Sequence, residues 1–173
     1  MRFIILFFVT VINLGFAGTV FPNINIMGIA PDLIICTIAS MAILEKSMIG
    51  AVIGLVCGLV LDLFTGDIGF YAIPYFVSGA MIFFVRKSVN YIDKFLLPAL
   101  FAMGAYVIKE LLFALLAYMM NAKFSLSYMF IRYILPEAVL TGLFMLLIHF
   151  IFSKLYRSGS IRPKAQEDIK KLL

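Results

Sequence analysis

Four charged residues stand inside apolar sequence, Lys109 and Glu110 in one stretch and Arg132 and Glu137 in another. A charge at membrane depth is costly unless it is paired or faces an aqueous cavity, so such residues mark a structural network, a polar pocket for a partner or ligand, or a proton relay. Counted at 1.5 Å per residue from the outer ends of their stretches, Lys109, Glu110 and Glu137 all fall about 13 to 17 Å deep, with Arg132 nearer the surface. Lys109 with Glu137, and Glu110 with Arg132, are the expected pairs. A relay would need further acids along a path, but Asp32 and Asp62 lie nearer the outer face and the inner half has none. The network reads first as structural, and second as a polar docking or ligand pocket.

Gly50, Gly54, Gly58 and Asp62 recur every four residues and so share one helix face. A small-x-x-x-small face lets another backbone approach closely, either within the fold or from a partner's helix. Asp62, at the outer end of that face, is expected to close it with hydrogen bonds. Catalysis would need a nucleophile beside a base, or converging metal ligands. The single histidine, His149, lies about 18 Å along its helix from Glu137, and no His-Glu-x-x-His, Gly-x-Ser-x-Gly or P-loop pattern occurs. Cys36 and Cys57 lack a Cys or His neighbour at metal or redox spacing and read as small core residues. No enzyme activity and no cofactor is expected.

The elements that carry these residues are apolar throughout. Of 173 residues 64% are apolar and 13% charged, and the mean hydropathy is +1.12, far from an ordinary soluble domain. The expected fold class is an all-α integral membrane protein of about six transmembrane helices. The spans run from about Phe3 to Phe21, Pro31 to Leu44, Met48 to Phe64, Ile68 to Val85, Phe95 to Met120 and Tyr128 to Phe152. Gly15-Phe16-Ala17 also resembles a signal-peptide cleavage site, but the apolar run continues past it and is read as a retained span. Residues 22–30 read as a loop dipping toward the second span, where Pro31 fits the first helical turn and Asp32 the positive helix end. Pro74 predicts a kink or break in mid-span, and Pro136 falls in the first half of the last span. The domains are a transmembrane unit over 1–152 and a basic tail over 153–173.

With the N-terminus inside, the cytoplasmic segments hold Arg2, Lys46, Arg86, Lys87, Lys94, Lys154, Arg157, Arg162, Lys164, Lys170 and Lys171, and the outer segments hold Lys123. This asymmetry predicts both termini in the cytoplasm. The net charge of +5 forms no aromatic-interleaved patch, which argues against nucleic acid, and the tail is expected to lie on anionic lipid headgroups.

Pro31-Asp32-Leu33-Ile34, the run from Gly50 through Gly54, Gly58, Leu61-Asp62-Leu63-Phe64 and Gly66 to Gly69, and Leu135-Pro136 with Thr141 resemble the rod shape-determining MreD family over the full length. Lys109-Glu110 departs from many members, so no family role carries over to that pair. The resemblance implies a non-enzymatic scaffold of the elongation (rod) complex in the bacterial cytoplasmic membrane, supporting lateral peptidoglycan synthesis and cell shape. The implied partner is MreC, and through it MreB, RodA and a class B penicillin-binding transpeptidase; a homodimer is left open. It also implies a bundle similar to the S components of energy-coupling-factor vitamin transporters, which supplies the alternative function of a substrate-binding subunit. S components typically carry Ala-x-x-x-Ala on the first span, where this chain has Asn13 and Ala17 with Phe21.

Overall fold

The computed structural model describes Phe8, Val11, Ile12, Gly15 and residues 29–45, 47–66, 69–89, 96–121 and 125–157. Apart from those first four residues, the expected first span and its cleavage site lie outside this set. So do most of the following loop, Lys46, Asp67, Lys94, Lys123 and the tail from residue 158.

The elements are helices in the expected order: α1 (Leu33–Glu45), α2 (Ile49–Thr65), α3 (Ala72–Ser88), α4 (Leu96–Met119), the short α5 (Leu126–Met129), a π-helical segment (Phe130–Ile134) and α6 (Leu135–Arg157). They correspond to the second to sixth spans read from the sequence. α1 is the centre, packed against α2, α3, α4 and α6. Every residue from Ile34 to Ile43 is buried, as befits a helix that is apolar all round. Branched Ile34, Ile35, Ile38 and Ile43 fill space on its flanks. Cys36, Ala39, Ser40 and Ala42 let neighbouring backbones come near. The helix starts when the Asp32 carboxylate accepts the Ile35 N–H at 3.0 Å, an N-cap bond. Pro31 therefore stands just outside the helix, buried, and not in its first turn as expected.

Two glycines shape the passage from α2 to α3. Gly66 closes α2 in the left-handed region (φ 85°) and donates to the Asp62 carbonyl at 2.8 Å, while Gly69 has φ 91°. α3 begins at Ala72, four residues later than the apolar pattern suggests. Pro74 thus falls in the first turn, where its missing N–H loses no intrahelical bond, and the expected mid-span break does not occur. Pro136 acts differently: it cannot donate to the Arg132 carbonyl, and the preceding Leu135 N–H reaches back five residues to Phe130. The irregularity is absorbed as a π turn within a continuous rod.

Among the described residues two helices are long and apolar enough to cross a membrane: α4, with 24 residues, and the rod from Ser127 to Tyr156, with 30 residues. At 1.5 Å per residue these are about 36 and 45 Å long, against about 20 Å for α1 and 25 Å for α2. The exterior is apolar. Val52, Val56, Leu59 and Leu63 make an exposed stripe along α2, and Val139, Leu143, Leu147 and Phe150 another along α6. In water each such side chain forgoes about 1.5–3 kcal/mol of burial, a loss that lipid contact removes.

Candidate functional site

Polar groups from three helices converge on Asp32. Its Oδ2 accepts the Tyr75 hydroxyl at 2.9 Å and the Lys109 ammonium at 2.9 Å, and its backbone N–H donates to Thr141 Oγ1 at 3.0 Å. One residue at the start of α1 therefore ties together α3, α4 and α6. Cys36 adds a second tie, its thiol donating to the Thr141 carbonyl at 3.4 Å. The Lys109 ammonium also pairs with Glu110 Oε1 at 2.7 Å. It sits 5.3 Å from the centroid of the Tyr75 ring and 4.7 Å from that of Tyr106, within cation–π range. The side chains of Asp32, Lys109 and Glu110 are only 9%, 12% and 19% exposed. Low dielectric strengthens such contacts and makes each one costly to break.

The expected partners of Lys109 and Glu110 are corrected here. Lys109 lies between Asp32 and Glu110, and Glu137 accepts instead from the Tyr106 hydroxyl. Arg132, on the π segment, is exposed and forms no ion pair with Glu110 among the described residues. Matching depths suggested the wrong pairs because depth says nothing about which way a helix is turned. Tyr75 and Tyr106 were missed, and Thr141 was named only as part of the resemblance, without a bonding role. Tyr106 lies three residues before Lys109 and Thr141 four after Glu137, so a helical wheel places both on the charged face; no sequence signal singles out Tyr75.

Asp62 serves a second, separate structure. It is 1% exposed, and its carboxylate accepts three backbone N–H groups: Tyr71 at 2.7 Å, Gly69 at 2.8 Å and Ala72 at 3.2 Å. A residue of α2 thereby caps α3 and sets a negative charge at its positive end. The expected closing of the glycine face by hydrogen bonds is met, and both carboxylate oxygens are fully engaged. The glycines face inward. A Cβ on Gly50 would come within 2.6 Å of the Ile38 carbonyl in α1, one on Gly54 within 2.7 Å of the Tyr75 carbonyl, and one on Gly58 within 2.4 Å of Ala72 Cα. Gly79 of α3 returns the contact, 2.6 Å from Ala51 Cα. Of the two uses open to this face, internal packing is the one it has.

Toward the other end of α1, Ser40 Oγ lies 3.4 Å from His149 Nδ1 and 3.8 Å from Met145 Sδ. Serine and histidine are 0% and 7% exposed, in the α1–α6 contact beside Met41 and Phe152. A substrate has no approach to this pair, which makes His149 a packing residue. Among the described residues no group of His, Cys, Asp and Glu is arranged to hold a metal ion, and Cys36 and Cys57 are free thiols in the core.

Ties between helices are thus the main work of these polar residues. The family model for the rod shape-determining protein MreD matches residues 1–159. No curated protein and no solved structure matches the chain significantly. With that model spanning the hub on α1, the glycine face and the capped turn alike, the chain belongs to the MreD family of rod shape-determining membrane proteins.

Proposed function

We propose that the protein is a six-span scaffold of the rod complex, with both termini in the cytoplasm, that captures MreC and so supports lateral peptidoglycan synthesis. Through MreC it would serve MreB, RodA and a class B penicillin-binding transpeptidase. The observation that carries this reading is the use of Asp32, Lys109, Tyr75 and Thr141 to lock four helices into one body. A body braced in this way keeps its outer helix faces in fixed relation, which is what simultaneous contact with partner helices requires. Purification in mild detergent is expected to bring down an MreC-like bitopic protein, and depletion is expected to give rounded cells with misplaced wall synthesis. Rod-shaped growth without the protein would overturn the proposal.

One observation favours the S-component alternative. The buried cluster holds three carboxyl groups, Asp32, Glu110 and Glu137, around the single ammonium of Lys109. A polar cationic ligand would balance that excess. A stoichiometric water-soluble vitamin on the purified protein, with no bitopic partner, would decide for the alternative.

A further inference from the structure

Tyr128, Arg132 and Tyr133 meet where the rod is irregular. In a regular α-helix residues five apart point about 140° from one another. Across the wider π turn that follows from Pro136, the Tyr128 and Tyr133 rings instead touch edge to face, with centroids 6.2 Å apart. Arg132 stands one turn after Tyr128 and beside Tyr133, and all three are exposed. Among the described residues no carboxylate answers its charge: Glu110 pairs with Lys109, and Glu137 accepts from the Tyr106 hydroxyl. Along the rod, Arg132 lies about 33 Å from the exposed Lys154, close to the roughly 30 Å of a hydrocarbon core. The two cations thus stand at opposite rims of such a core. Side chains on a helix lean toward its N-terminus, which carries the guanidinium toward the headgroups and away from the acyl chains.

Resting on the reading of the chain as membrane-spanning, we propose that Tyr128, Arg132 and Tyr133 form a site for the phosphate of a phospholipid headgroup, which holds one lipid against the outer end of the rod. A cation at the lipid rim with no carboxylate beside it needs another anion, and phosphate is the one the bilayer carries at that level. A planar guanidinium takes two phosphate oxygens at once. Tyrosine sets an apolar ring at the edge of the hydrocarbon and a hydroxyl among the headgroups, so two rings flanking the arginine add donors for the same oxygens. Farther along the rod, the exposed stripe of Val139, Leu143, Leu147 and Phe150 gives the acyl chains an apolar surface to follow.

The full-length protein is purified in mild detergent, stripped of lipid and titrated with phosphatidylglycerol, and the lipid it retains is counted by native mass spectrometry. The parent is expected to hold one molecule about tenfold more tightly than Arg132→Gln, which loses the charge-assisted contact. Equal affinity of the two would overturn the site. Arg132→Lys should fall between them, because an ammonium cannot bind two oxygens in parallel. Tyr128→Phe and Tyr133→Phe, which lose only a hydroxyl, should each weaken binding about threefold. Diacylglycerol with the same chains is expected to bind the parent no better than phosphatidylglycerol binds Arg132→Gln; equal retention of both lipids would overturn the phosphate assignment. Displacement by inorganic phosphate would overturn the lipid as its source. Lys154→Gln removes a charge from the opposite rim and is expected to leave the retained lipid in place, whereas a loss equal to that of Arg132→Gln would reduce the site to general attraction and overturn it. A parent that stays in solution without detergent fails the membrane-spanning reading itself. Helical circular dichroism matching the parent qualifies each variant, and Arg132→Lys carries the comparison if Arg132→Gln does not fold.

Discussion

Removing the Asp32 carboxylate takes away the Ile35 cap, the acceptor of the Tyr75 hydroxyl and the main counter-charge of Lys109 together. Asp32→Ala is expected to cost about 2–4 kcal/mol, from the lost cap, the Tyr75 hydroxyl left without its acceptor and a Lys109 that keeps Glu110 alone. Asp32→Asn keeps a side-chain oxygen and is expected to lose less; thermal unfolding in detergent measures both. In a double-mutant cycle, Lys109→Met should partly rescue Asp32→Asn, whereas Lys109→Met and Glu137→Gln should be close to additive. Strong coupling in the second cycle would restore the pair expected from depth. The sequence carried the identities of the buried charges and their rough depth. Helix rotation, which chooses partners, depends on packing that no single sequence shows. Asp62 was more legible because its place at the end of the glycine repeat leaves it beside a turn whose N–H groups need an acceptor. Asp62→Ala is expected to lower thermal stability by about 1–2 kcal/mol or more through loss of the α3 cap, with Asp62→Asn falling between it and the parent.

Between α2 and α3 the closeness of two backbones sets the tolerance for any added atom. Gly58→Ala places a methyl group 2.4 Å from Ala72 Cα, where only a backbone shift gives room. It is expected to lower folded yield and cost about 1–3 kcal/mol, as overpacking does. Gly104 of α4 offers the opposite case, with nothing within 4 Å of a built Cβ. Gly104→Ala should be neutral or raise stability by up to about 1 kcal/mol through helix propensity. Parallel melting curves of the two variants check the contrast, and equal effects would mean that α2 and α3 are not in tight contact. The glycine face was plain in the sequence because its period matches a helix. The start of α3 was not, since apolar Ile68 to Ile73 gives no sign that Asp62, Gly69 and Pro74 together delay the helix to Ala72.

For the molecule as a whole, the order and approximate limits of five helical segments were legible from apolar runs, yet their unequal lengths around a short central helix were not. Hydropathy registers that a segment avoids water and is silent on whether lipid or other helices surround it. The orientation expected from the basic residues named above is open to test with alkaline phosphatase or a fluorescent protein fused after Leu173. Fluorescence without phosphatase activity is the expected result. Phosphatase activity there would sink the six-span topology.

The wall around α1 also bears on the order of assembly. α1 is among the earlier helices to leave the ribosome, but Asp32 meets Thr141, and Ser40 meets His149, across 109 residues of chain. Until α6 has been made, one side of α1 is without its neighbour, and a helix of 13 residues is too short to hold itself across a bilayer. The last of the described helices to be synthesised is therefore the one that closes the core, and a nascent chain stalled before it is expected to leave α1 open to membrane proteases. A chain ended at Met120 is expected to be degraded rapidly in a pulse-chase experiment, and co-expression of residues 121–173 as a separate fragment is expected to slow that loss.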